Sequence, residues 1–104
     1  NFYSGTFMKL LLVRRKAKRL WFLLKRYSES DTTAAKAQSS LRKLLESAMS
    51  GEITSPLRWS DVPCGYLFVE GALGKYKDLE EAYADFKIEV TGGSDPLLEK
   101  IKRL

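Results

Sequence analysis

Residues 7–27 read FMKLLLVRRKAKRLWFLLKRY, and the fold turns on the period of this stretch. Leu10, Val13, Ala17, Leu20, Trp21, Leu24 and Tyr27 recur at spacings of three and four, so they line one face of an α-helix. The intervening Arg14, Arg15, Lys16, Lys18 and Arg19 cover the remaining faces with charge, while Leu11, Leu12, Phe22 and Leu23 carry apolar surface around the cylinder. The longest apolar runs, Leu10–Val13 and Leu20–Leu24, fall far short of the roughly 20 residues a membrane span requires. No small-residue cleavage site follows, so a signal peptide is not expected either.

Downstream of this helix, Ser28-Glu29-Ser30-Asp31 is a polar break in which Ser30 or Asp31 can cap a second helix running to about Ser50. Its apolar stripe is Ala34, Ala37, Leu41, Leu44, Leu45 and Ala48, and Gly51 stands where a left-handed terminating residue belongs. Residues 52–59 contain Pro56 and read as a connector. Ser60 or Asp61 is then expected to cap a third helix from Cys64 to about Leu73, apolar enough to be a central element. Gly71 and Gly74 point to close packing and termination there. Asp78-Leu79-Glu80-Glu81 has capping-box spacing, and Leu79, Ala82, Tyr83, Phe86 and Val90 trace a fourth helix, with a competing strand alternation over Phe86–Val90. Gly92-Gly93 breaks the chain before a short final stripe of Leu97, Leu98, Ile101 and Leu104.

These readings give an all-α, single-domain bundle of four or five helices with a long basic N-terminal helix. The domain covers residues 1–104, with 1–7 as a flexible N-terminal arm that a native start at Met8 would make dispensable. A chain of 104 residues has room for one core. Core candidates are Trp21, Leu24, Leu41, Leu45, Leu67, Phe68, Tyr83, Phe86 and Ile101.

Charge is polarised along the chain. The net charge is +5, yet residues 1–28 carry eight bases and no acid, leaving ten bases against thirteen acids in the remainder. Two surfaces follow. Arg14, Arg15, Lys18, Arg19, Lys25 and Arg26, interleaved with Trp21, Phe22 and Tyr27, have the composition of a nucleic-acid-binding helix, since bases neutralise phosphates and aromatic faces stack on nucleobases. The competing reading packs those aromatics and pairs those bases with the acidic body. An interfacial membrane helix shares the pattern, but its apolar face is needed for the core. Asp78, Glu81, Asp85 and Glu89 form the second surface, a negative ridge at helical spacing that either meets a basic protein partner or is simply solvated. Phe22 and Leu23, off the main stripe, leave homodimerisation open.

Catalysis has little to work with. The chain contains no histidine, which removes the commonest general base and metal ligand, so neither a cofactor nor a metal is expected. The single cysteine, Cys64, forms no intrachain disulfide and, beside Val62, Tyr66 and Leu67, reads as a buried structural thiol rather than a nucleophile. Gly71-Ala72-Leu73-Gly74-Lys75 lacks the spacing of a phosphate-binding loop. No catalytic constellation is found.

Cys64-Gly65-Tyr66-Leu67-Phe68, Lys77-Asp78-Leu79-Glu80-Glu81-Ala82-Tyr83 and Leu97-Leu98-Glu99-Lys100-Ile101 together resemble the small helical immunity proteins of bacterial toxin systems, in particular the colicin-D-like kind. That resemblance spans about the C-terminal 40 residues. It implies a bacterial, cytoplasmic, non-enzymatic bundle that neutralises a toxin by occluding its active site with an acidic surface; the basic first helix departs from this pattern. The leading expectation is therefore a protein-binding module acting through the acidic ridge, and the alternative is nucleic-acid binding by the basic helix.

Overall fold

The computed structural model describes residues 10–69 and 71–92. The expected N-terminal arm, Met8 and the final stripe containing Ile101 lie outside the described residues. Four α-helices follow in order, α1 (Leu10–Ser28), α2 (Thr32–Met49), α3 (Gly65–Val69) and α4 (Lys77–Val90), with 3-10 turns at Trp59–Asp61 and Ala72–Lys75. The fold is all-α, with no strand among the described residues, so the alternation over Phe86–Val90 resolves as helix.

α1 is the central element, and α2 and α4 pack on either side of it. Both run antiparallel to α1. The Arg14 Nε near its start donates to the Met49 carbonyl at the end of α2, and the Tyr27 hydroxyl at its end donates to Asp78 at the start of α4. Val13, Ala17, Leu20 and Leu24 present the buried face of α1, meeting Leu41 and Leu45 of α2 and Leu79, Phe86 and Val90 of α4. Ala34, Ala37 and Ala48 keep the α2 contact face low, which lets the helix approach closely. Each fully buried leucine contributes about 1.5–3 kcal/mol by leaving water. Among the core candidates, Leu24, Leu41, Leu45, Phe68, Tyr83 and Phe86 are buried, whereas Trp21 and Leu67 are half-buried at the margin.

The local signals of α2 operate as its sequence indicates. Asp31 caps it, accepting from the Thr33 and Ala34 amides at 2.8 and 3.2 Å, and Gly51 ends it at φ +81°. The third element is different. The expected central helix over Cys64–Leu73 is broken into the five-residue α3, a bend at Gly71 and a 3-10 turn. Cys64 sits at φ +74°, outside helical backbone, and Tyr66 is exposed. The chain doubles back tightly enough that a Cβ on Gly71 would lie 2.8 Å from Leu67 Cα, and one on Gly74 would lie 2.8 Å from the Phe68 carbonyl oxygen.

Two expected caps are also reassigned. Asp61 accepts from the Arg58 amide and guanidinium, closing the 3-10 turn rather than capping α3. α4 begins at Lys77, so Asp78 lies inside its first turn and the capping box does not form; its carboxylate accepts from the Leu79 amide and the Tyr27 hydroxyl instead.

Candidate functional site

The spacing that makes a ridge of Glu81, Asp85 and Glu89 also turns part of that ridge toward α1. Asp85 lies 3.5 Å from both Lys16 Nζ and Arg19, and Asp78 receives the Tyr27 hydroxyl at 2.7 Å. Two of the four ridge residues thus tie α4 to α1. Glu81 remains exposed on the far side of the ridge, and Glu89 is half-buried. A hydrogen bond to Asp78 and loss of solvent raise the Tyr27 phenol above its ordinary range.

The same contacts sort the bases of α1. Lys16 and Arg19 are engaged by Asp85, and Arg14 is turned toward the carbonyl end of α2, where a cation also complements the helix dipole. Arg15, Lys18, Lys25 and Arg26 are exposed, and none has an ion-pair partner among the described residues. They share their face with two exposed apolar side chains, Leu11 at 66% and Phe22 at 62%. Leu11, Arg15, Lys18, Phe22 and Lys25 alternate spacings of four and three, and Arg26 stands four residues after Phe22, so the six form one stripe directed away from the core. At 1.5 Å per residue, the four bases extend over about 16 Å of helix. A shallow depression beside Phe22 is floored by Lys25 and Arg26 and closed by Glu29.

A second concavity was not foreseen. A groove of about 400 Å³ opens between α4 and the α3 region, lined by Trp59, Gly65, Phe68, Tyr83 and Lys87, with Glu80 and Glu81 also on its wall. Phe68 and Tyr83 stack with ring centroids 4.2 Å apart, and the Tyr83 hydroxyl donates to the Pro63 carbonyl. Burial pushes the Tyr83 phenol strongly up. Lys87 is 9% exposed, and its ammonium lies 4.4 Å from the Trp59 ring centroid. Loss of solvent draws the Lys87 pKa below the ordinary lysine value. The missed signal is the four-residue step from Tyr83 to Lys87, which places the lysine one turn beyond a core aromatic.

Cys64 is buried, and burial raises its thiol pKa, opposed in part by Ser40, as suits a structural cysteine. No described helix is long and apolar enough to cross a membrane. Comparison of the chain with protein-family models, curated proteins and solved structures found no match.

Proposed function

We propose that the chain is a non-enzymatic helical module that binds single-stranded nucleic acid along the outer face of α1. The observation carrying this reading is the sorting of the bases. Three are drawn into internal contacts, and Arg15, Lys18, Lys25 and Arg26 are left together on an exposed stripe centred on Phe22. Bases of this kind neutralise phosphates, and an exposed ring between them offers a face on which a nucleobase stacks without sequence preference. The choice of a single strand rests on Phe22, because the bases inside a duplex are already stacked on one another.

The test is fluorescence anisotropy of a labelled oligothymidylate, with duplex DNA and anionic phospholipid vesicles as competitors. Binding should weaken steeply with salt. Replacing Arg15, Lys18, Lys25 and Arg26 together by Gln should abolish it, and Phe22→Ala should weaken it while leaving the salt slope in place. No binding at low salt, or binding to vesicles without binding to the oligonucleotide, would overturn the proposal.

Occlusion of a protein partner, as the immunity-protein resemblance implies, is the second reading. It draws on Glu81, which stays exposed beside the apolar groove with Glu80. Glu81→Lys should then slow association with that partner.

A further inference from the structure

The α4 groove holds a cation that no acid among the described residues meets at ion-pair distance. Lys87 is nine-tenths buried, and no carboxylate lies within ion-pair distance of it among the described residues. Its ammonium is compensated by aromatic faces, Trp59 at 4.4 Å and Tyr83 at 5.8 Å from their centroids. The Tyr83 hydroxyl is already spent on the Pro63 carbonyl. Gly65 makes the room: a Cβ there would sit 3.2 Å from Lys87 Nζ. The Lys87 side chain is buried along its length while its ammonium opens into the groove, so an arriving anion would gain a charge-assisted contact that no described acid makes at ion-pair distance.

We propose that this groove binds a small amphipathic carboxylate, its head paired with the Lys87 ammonium and its apolar body lying along Trp59, Phe68 and Ile88. The volume of about 400 Å³ fits a small organic molecule and falls within the ordinary range for such sites. The apolar walls favour an anion that carries an apolar body over a bare ion. Glu80, tethered 3.5 Å from Lys77, and the exposed Glu81 add negative charge to the same groove. They select against multiply charged anions such as phosphate esters, so this site is separate in chemistry and position from the basic stripe of α1.

The experiment is a titration of the full chain, labelled with nitrogen-15, with 4-phenylbutyrate and with its uncharged counterpart 4-phenylbutan-1-ol. The Trp59 indole N–H resonance is followed, and that of Trp21 on α1 serves as an internal reference. The carboxylate should shift Trp59 saturably and bind about tenfold more tightly than the alcohol, as expected for one charge-assisted contact. Lys87→Met, which keeps the apolar stem, should erase that difference, and Glu81→Gln should tighten carboxylate binding severalfold. Gly65→Ala crowds the ammonium without removing it and should weaken the carboxylate more than the alcohol. The variant with Arg15, Lys18, Lys25 and Arg26 replaced by Gln should bind 4-phenylbutyrate unchanged, which separates this site from the nucleic-acid reading. A Trp59 resonance that does not shift saturably, as when another segment of the chain already fills the groove, overturns the proposal. Equal affinity for acid and alcohol, or retained preference for the acid in Lys87→Met, also overturns it.

Discussion

Replacing Asp85 by Asn should make the protein less stable and a better ligand for nucleic acid at once. The carboxylate lies 3.5 Å from Lys16 and from Arg19, with the three side chains between 33% and 45% exposed. Partly exposed pairs of this kind contribute about 0.2–1 kcal/mol each. Because the two share one acid, the loss should total about 0.5–1.5 kcal/mol at low salt and shrink toward zero as salt screens the pairs. The substitution also releases the two bases. Arg19 borders the exposed stripe, so one further phosphate contact is expected, raising the number neutralised from four to five. With a slope of about −0.7 per phosphate for a single strand, the dependence of log affinity on log salt should steepen from about −2.8 to about −3.5. Between 50 and 200 mM salt the parent should then lose about 50-fold in affinity and the variant about 130-fold. Urea denaturation at low and high salt, paired with oligonucleotide anisotropy across the same range, measures both effects. An unchanged salt slope, or a stability loss independent of salt, would refute the reasoning that Asp85 holds bases away from the outer face.

The remaining predictions concern the fold. Gly74→Ala brings a Cβ to 2.8 Å from the Phe68 carbonyl oxygen and should cost about 1–3 kcal/mol in denaturant melts. Gly51→Ala meets nothing within 4 Å and should cost only the left-handed backbone term required at φ +81°, about 1–2 kcal/mol. The Asp31 carboxyl is held below its ordinary range by the Tyr76 hydroxyl and the Thr33 and Ala34 amides, and that of Asp61 by Arg58. Since each is depressed in the folded state, their stabilisation is complete above the unfolded carboxyl pKa and declines as pH falls through the folded values. Acid melts of Asp31→Asn and Asp61→Asn should therefore differ from the parent at neutral pH and converge on it in strong acid. Cys64, buried and with its thiol pKa raised, should react with an aromatic disulfide reagent only slowly until denaturant is added.

What could be read from sequence follows the range of the interaction. α1 and α2 were legible because their period, the Asp31 cap and the Gly51 terminus are settled within a few residues. The region from Cys64 to Leu73 was not. Its apolar run resembles a buried helix, but the positive φ at Cys64 and the close approaches of Gly71 to Leu67 and Gly74 to Phe68 depend on where the chain turns next. Lys87 was missed because a charge one turn from a core tyrosine looks like a solvated position until Trp59, 28 residues earlier, is folded over it.

The acidic ridge combines both cases. Spacing establishes which faces of α4 carry Glu81, Asp85 and Glu89, yet only packing decides that Asp85 meets Lys16 and Arg19. The charge partition along the chain then has a structural meaning. The acidic body turns part of its charge against one flank of α1, and that flank's bases become internal ties. Arg15, Lys18, Lys25 and Arg26 escape because they lie around the helix from that contact, with Phe22 among them. A helix whose bases served only to neutralise the body would have little reason to keep its excess in one stripe beside an exposed aromatic ring, and it is this residue of charge, rather than the net value of +5, that argues for a polyanionic partner.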